Sequence, residues 1–194
     1  AGNLKEISFS ENLEDYMNKF KAEVGKSFAD TEHPLLLKIV VSSNMAIAQY
    51  PLLHNIGLAR DTVDGFANKV GAEFTSREVL FLMLGALKIE KMIAEKEGKI
   101  DRYNTISENV QKLEDIFQND PCKFSPIEII RQYENFLPDA FFESATRQLE
   151  IIIARVSYLI QIDEQIENDT SILIQPMVYG NYTKNSSAGR CSTR

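Results

Sequence analysis

Small polar residues near the carboxyl end of the chain could bind phosphate. Gly180 to Gly189 reads GNYTKNSSAG, and such small residues leave backbone N–H groups free to surround an anion. Asp169 is the last acidic residue, whereas Lys184, Arg190 and Arg194 follow it. The pattern predicts an anion-binding loop in which Lys184 and Arg194 supply positive charge. Because the spacing is not that of a P-loop, a glycine- and serine-containing chain end without a ligand is the alternative.

The other residues that could carry out chemistry are isolated. His33 and His54 have no cysteine or carboxylate partners at ligand spacing, so we predict plain surface or capping histidines and no metal site. The acidic run from Asp163 to Asp169 could hold Mg²⁺, but such a run is more often a solvated helix end. No HExxH, GxSxG or paired-cysteine motif is present, and we assign no catalytic residue.

The composition is that of a globular protein. The 194 residues are 44% hydrophobic and 25% charged, which suits one or two domains with a real core. The net charge of -7 argues against a nucleic-acid partner, because phosphate neutralisation supplies much of that affinity. The longest apolar run, Val79 to Leu87, is too short to cross a membrane. Only Cys122 and Cys191 occur, which favours a reducing, cytoplasmic location.

Two apolar runs at opposite ends of the chain predict strands. Pro34–Val41 is almost unbroken, and Ile172–Tyr179 is rich in residues that suit a pleated surface. We expect both to lie in one sheet, with Pro176 indicating an edge or a bulge.

Start and stop signals predict helices between these runs, and this combination indicates an α+β fold. We expect the Thr75–Ile162 region to be mostly helical. The predicted helices begin at Ser10 (ending at Gly25), at Asp61–Asp64 (ending at Gly71), at the Thr75–Glu78 capping box (ending near Gly98), at Thr105–Glu108, at Ser125–Glu128 and near Asp139 (ending at Ile162, before a turn at Asn168–Asp169).

Three stretches resemble motifs of the pyruvate phosphate dikinase family, in the family's order. Met177–Arg194 is similar to M-V-F-G-N-M-G-x-x-S-G-T-G-V-A-F-T-R without a gap. Gly25–Leu37 is similar to G-K-x-F-G-D-P-x-N-P-L-L-V. Asn55–Leu58 with Asp61–Gly65 is similar to N-L-G-L-N-D-x-T-V-x-G. Three ordered matches are far more specific than any one of them.

The resemblance implies part of an ATP-grasp nucleotide-binding region. Enzymes of this family move phosphoryl groups from ATP through a histidine carrier to pyruvate, with Mg²⁺, so ATP and Mg²⁺ are the implied cofactors. His33 and His54 match no carrier-histidine motif. The residues expected to bind nucleotide are Lys38, Lys184, Ser186, Ser187, Gly189, Thr193 and Arg194.

The chain departs from the family pattern in its first apolar run. Val40 occupies the position of the family arginine that meets the nucleotide's phosphates, and Ser42 that of a glycine. Valine cannot replace the charge-assisted contacts of a guanidinium. Strand alternation places Lys38 on the same face as Val40, which allows partial compensation. We therefore expect this chain to be inactive alone. The alternative is a degenerate, non-catalytic relative that acts as an interaction or regulatory domain.

The resemblance also suggests how the chain is divided. We expect an N-terminal α/β part of the nucleotide-binding region over residues 1–70, a helical subdomain over 71–167, and a terminal strand and loop over 168–194. The chain begins with Ala1 and the family signature ends at Arg194, so we expect a truncated piece of a longer protein. Its partners would then be ATP and the remaining domains of the parent chain.

Overall fold

The computed structural model describes residues 15, 17–19, 21, 22, 25–42, 50–120, 123–163, 170–177 and 179. Those between 15 and 22 are helical. The following elements are, in chain order, β1 (Leu37–Ser42), β2 (Leu53–Ile56), α1 (Val63–Val70), α2 (Ala72–Lys96), α3 (Ile100–Asn119), α4 (Pro126–Tyr133), a 3-10 turn (Glu134–Phe136), α5 (Ala145–Ile162) and β3 (Ser171–Pro176).

The strands form one antiparallel sheet in the order β2-β1-β3. The β1–β3 register runs from Leu37 opposite Pro176 to Ser42 opposite Ser171. This pairing confirms that the two terminal apolar runs share a sheet. β1 begins three residues after Pro34, and β3 ends at Pro176, so both strands are shorter than the runs that predicted them.

Helix α2 is the centre of the molecule. It packs against α1, α3, α4, α5 and β2. Its 25 residues are apolar on most sides, as expected of a helix surrounded by other elements. Gly85 lets β2 approach closely, because a Cβ there would lie 3.2 Å from Leu53 Cδ2. The helices and the antiparallel sheet confirm the α+β class. Within the described residues, no helix combines the length and apolarity needed to span a bilayer.

Three predicted helix starts were wrong. α2 begins at Ala72, and the Thr75 hydroxyl donates a hydrogen bond to the Gly71 carbonyl, one turn back, instead of capping. α3 begins at Ile100, and the Thr105 hydroxyl likewise donates to the carbonyl of Asp101 inside the helix. A Thr hydroxyl that bonds to the carbonyl four residues earlier resembles a cap in sequence but belongs to a helix interior. The last helix, α5, starts at Ala145 after the Ser144 cap, not near Asp139.

Other boundaries were predicted correctly. Ser125 and Glu128 form a reciprocal capping box at the start of α4. Gly71 separates α1 from α2 with a φ of 96°, and Gly98 follows α2 with a φ of 67°. The Gly25 N–H bonds to the carbonyl of Lys21 with a φ of 70°, which ends the first helical segment. The predicted cap at Ser10 and the turn at Asn168–Asp169 lie outside the described residues.

Candidate functional site

One face of β1 is half-exposed and carries Val40, where the resemblance predicts an arginine. Leu37, Ile39 and Val41 are buried, whereas Lys38 and Val40 are only partly buried. Directly opposed residues of an antiparallel pair share a face, so Gln175 and Leu173 of β3 lie beside Lys38 and Val40. Leu173 is 44% exposed. The prediction that Lys38 and Val40 share a face is confirmed.

His54 lies on β2 near Lys38. Burial lowers its pKa below the usual histidine value, and the Lys38 charge lowers it further. Its ring centroid is 5.6 Å from that of Phe81 on α2. His33 is exposed, and its backbone N–H donates to Asp30 Oδ1 at 2.8 Å. Within the described part of the chain, no three His, Cys, Asp or Glu side chains are grouped to hold a metal ion.

The residues of the predicted phosphate loop follow Tyr179 in the sequence. Lys184, Ser186, Ser187, Gly189, Thr193 and Arg194 all lie outside the described residues. Of the segment that precedes them, Pro176, Met177 and Tyr179 are described. The surroundings of that segment are therefore the structural context of the predicted site.

Segments of the three family-like motifs meet at this point. The Met177 N–H donates to the Leu36 carbonyl at 2.8 Å, which extends the β1–β3 pairing beyond the strand. The Asn55 N–H donates to Met177 Sδ at 3.2 Å. Gly65 lies against the turn before β1, since a Cβ there would be 1.9 Å from the Thr31 carbonyl oxygen. Only glycine allows this approach.

Asn55 connects the end of β2 to both Tyr179 and α2. Its Oδ1 accepts a hydrogen bond from the Tyr179 hydroxyl. Its Nδ2 donates to the Glu78 carbonyl at 3.1 Å and to Glu78 Oε2 at 2.7 Å. Burial raises the pKa of the Glu78 carboxyl above its ordinary value, while the bond from Asn55 and the charge of Arg77 oppose that rise.

A buried ion cluster joins α2, α3 and α5. The Glu90 side chain is 4% exposed, and its Oε1 pairs with Arg155 Nε at 2.5 Å. Its Oε2 accepts from Arg155 Nη2 at 2.8 Å and from Arg102 Nη2 at 2.5 Å. Sequence reasoning missed this cluster. The available signal was a carboxylate and a guanidinium, each lying among apolar residues of a core-facing helix.

Asp163, the first residue of the acidic run, is engaged in the core. Its side chain is 4% exposed, and Oδ1 pairs with Lys96 Nζ at 2.7 Å. Its Oδ2 accepts a hydrogen bond from the Tyr50 hydroxyl. Burial, together with this hydrogen bond, raises the Tyr50 pKa well above its usual value. Asp163 is therefore a structural residue, and the rest of the run lies outside the described residues.

Sequence comparison finds a relative that matches nearly the whole chain. A pyruvate, phosphate dikinase of Treponema pallidum (strain Nichols) is 42% identical over 182 residues, which is 94% of this chain. The match covers 20% of that protein, so the chain spans about a fifth of the length of its relative. No protein-family model matches the chain.

Proposed function

We propose, since the chain is consistent with a fragment of the pyruvate phosphate dikinase family, that it forms part of the ATP-binding region of such a phosphotransferase. The observation that carries this proposal is the convergence at Met177. Leu36, Asn55 and Met177 come from three separate family-like motifs and are joined by hydrogen bonds. A scaffold that brings these motifs together supports a binding role for the loop that follows Tyr179.

The chain's own residues would bind the nucleotide through backbone and charge. Small residues, among them Ser186, Ser187 and Gly189, would let backbone N–H groups surround the phosphates. Lys184 and Arg194 would supply positive charge, and Thr193 would add a hydroxyl. Mg²⁺, when bound with ATP, neutralises part of the charge on the phosphates. Phosphoryl transfer depends mainly on positioning and charge stabilisation, which these groups would begin to provide.

Lys38 would contribute from the neighbouring sheet face. It lies beside Gln175 on β3, six residues before Asn181 in the loop. Lysine brings a flexible point charge where the family pattern has a bidentate arginine at position 40, so we expect weaker phosphate binding. For this reason we expect the 194-residue chain to transfer no phosphoryl group from ATP by itself.

The proposed parent enzyme would pass phosphate from ATP through a histidine carrier to pyruvate. In this chain, residues 1–70 and 168–194 would build the nucleotide-binding part, and residues 71–167 a helical subdomain. The remaining domains of the parent chain would be its physical partners, in the cytoplasm. The pairing of β1 with β3 supports grouping the two ends of the chain in one unit.

A non-catalytic interaction domain is the second candidate. The observation that favours it is Val40, which lies on the half-exposed sheet face beside the exposed Leu173. That pair makes the face locally apolar where a phosphate site requires charge. Such a face would suit contact with protein better than contact with ATP.

Calorimetric titration with Mg·ATP tests the proposal. We expect weak, salt-sensitive binding by the unmodified chain, and binding weakened about three- to tenfold in a Lys184→Ala/Arg194→Ala variant, because exposed cationic contacts contribute under about 1 kcal/mol each. The matched control is Lys123→Ala/Arg131→Ala, which removes two exposed cations elsewhere. Absence of binding by the unmodified chain, or equal binding by all three proteins, would contradict the proposal and favour the interaction domain.

A further inference from the structure

We infer that Asn55 is a positioning residue for the nucleotide-binding segment: Glu78 holds its side chain, and it holds Tyr179 in turn. We call these three residues the Glu78–Asn55–Tyr179 relay. The inference rests on the proposed function and deepens it, because Tyr179 directly precedes the predicted phosphate loop at Gly180. It assigns a role to three side chains that are not among the residues expected to bind nucleotide.

The conformation of Asn55 is specialised for this role. Asn55 is fully buried and has a φ of 65°, in the left-handed region that few non-glycine residues occupy. Asparagine tolerates that region better than most residues. Residues held there in a buried site are maintained by their surroundings and are concentrated at functional positions. Here the surroundings are the two chain segments that the side chain and N–H of Asn55 contact, α2 at Glu78 and the end of the β3 segment at Met177 and Tyr179.

The side chain of Asn55 has its donors and acceptor engaged in opposite directions. Nδ2 faces α2 and donates to both the carbonyl and the carboxylate of Glu78. Oδ1 faces the end of the β3 segment and accepts from the Tyr179 hydroxyl. Because an amide has distinct donor and acceptor ends, the bonds to Glu78 fix which end faces Tyr179. Glu78 therefore sets the acceptor that Tyr179 uses.

Tyr179 is held at both its ring and its hydroxyl. Its ring lies 5.2 Å from that of Phe66 and 5.9 Å from that of Phe74, both edge-on. The family-like signature has phenylalanine at this position, and phenylalanine could make the same ring contacts. The hydrogen bond to Asn55 requires the tyrosine hydroxyl of this chain. The hydroxyl adds a directional contact to a side chain already anchored by apolar packing.

The relay acts where the chain leaves the sheet. β3 ends at Pro176, and Met177 is still held by the Leu36 carbonyl. Tyr179 is the last described residue before the loop, so its position sets the point from which the loop starts. Backbone N–H groups bind phosphate only when they converge, and a displacement of about 1 Å in a supporting element is enough to weaken such a site. The relay therefore predicts a change in affinity when one hydroxyl is removed.

Single-group variants separate this role from general stability. Tyr179→Phe removes only the hydroxyl, and Glu78→Ala removes one of the two acceptors that orient Asn55, the carboxylate, while the backbone carbonyl remains. Glu78→Gln keeps an oxygen acceptor for Asn55 Nδ2 and is the conservative rescue. Tyr158→Phe is the matched control, because it removes a tyrosine hydroxyl that donates to Glu97 Oε1 at 2.7 Å, between α5 and the end of α2.

The measurements are Mg·ATP titration, urea unfolding and amide hydrogen exchange over residues 171–179. We expect Tyr179→Phe and Glu78→Ala to weaken ATP binding about three- to thirtyfold and to speed exchange after Pro176. Glu78→Gln and Tyr158→Phe should leave both unchanged, and urea unfolding compares the stability lost in Tyr158→Phe with that lost in Tyr179→Phe. Unchanged affinity and exchange in Tyr179→Phe would overturn the relay.

If the unmodified chain does not bind ATP, the proposed function fails, and hydrogen exchange alone then decides the relay. Faster exchange in Tyr179→Phe and Glu78→Ala supports the relay, and unchanged exchange overturns it.

Discussion

Gln148 Oε1 accepts a hydrogen bond from the backbone N–H of Gly57 at 2.8 Å, across 91 residues of sequence. The same side chain donates through Nε2 to the Leu58 carbonyl at 3.0 Å. A buried glutamine on α5 thus satisfies both backbone groups of the turn after β2. Gly57 has a φ of 110°. A Cβ added there would lie 3.0 Å from Phe28 Cε2, so the turn is also tightly packed.

Gln148→Ala should destabilise the protein by at least about 2 kcal/mol, because it leaves a buried N–H and a buried carbonyl without partners. Urea unfolding followed by circular dichroism measures the change. The control is Gln111→Ala on the exposed side of α3, where the Gln111 side chain donates to Asp115 Oδ1, and we expect a change within about 0.5 kcal/mol. Equal effects of the two substitutions would refute the structural role of Gln148.

Glu90→Ala should lower the free energy of unfolding by about 3 kcal/mol. The substitution leaves Arg155 and Arg102 without their buried carboxylate, and breaking a buried pair by removing one partner is costly. Both guanidiniums are partly exposed, which keeps the expected cost at the lower end of the usual range. Glu150→Ala removes an exposed carboxylate from its pair with Arg147 and should change stability by less than about 1 kcal/mol. A similarly small loss in Glu90→Ala would show that the cluster is dispensable.

Gly65→Ala should destabilise the protein although alanine is the better helix former. Propensity favours alanine by about 1 kcal/mol inside a helix, but the new Cβ would lie 1.9 Å from the Thr31 carbonyl oxygen. Backbone must move to relieve that contact, so we expect a net loss of about 1–3 kcal/mol. In Gly85→Ala the nearest atom is a side-chain atom, Leu53 Cδ2 at 3.2 Å, which has to shift by only a few tenths of an ångström, and we expect little net change. Thermal unfolding of both variants tests this difference in stability, and an equal change in the two would contradict it.

Glu78 should make stability depend on pH at the acidic end. Its folded-state pKa is raised by burial, so its stabilising contribution is present below the ordinary glutamate value of 4.5 and is lost as the pH rises through the folded-state pKa. Glu78→Gln keeps an acceptor for Asn55 and removes this titration. We expect the variant to gain stability relative to the unmodified protein at pH 7, and the gain to vanish as the pH falls below 4.5. A difference that does not vary with pH would contradict the expectation.

The sequence predicted β1, β3 and the face of Lys38 because all three depend on local patterns. Apolar runs gave β1 and β3, and strand alternation placed Lys38 beside Val40. β2 was missed because its four residues, Leu53 to Ile56, include a histidine and an asparagine and show no clear period. Its burial comes from pairing with β1 and from packing on α2, which are properties of the tertiary structure.

The relay and the glutamine bridge could not be predicted for a related reason. Tyr179 and Asn55 are 124 residues apart, and Gln148 and Gly57 are 91 apart. No local period links residues at such distances. The ordered resemblance of the three motifs grouped Asn55 and Tyr179 in one predicted region, but it did not indicate which atoms meet, and it did not include Gln148.

Restoring the missing arginine tests the central claim, that the half-exposed face of β1 belongs to a nucleotide site. Val40→Arg places a guanidinium at the family position, on the face that also carries Lys38. The matched control is Leu173→Arg, which adds the same group to the opposing residue of β3. Urea unfolding of both variants verifies that each is folded.

The deciding measurement is the dissociation constant of Mg·ATP for the unmodified chain and for these two variants. A charge-assisted hydrogen bond contributes about 1.5–3 kcal/mol, so Val40→Arg should tighten ATP binding by about tenfold or more, whereas Leu173→Arg should tighten it less than about threefold. No tightening in Val40→Arg would contradict a nucleotide site on this face of the sheet, and equal tightening in both variants would contradict the specific role of position 40 in it.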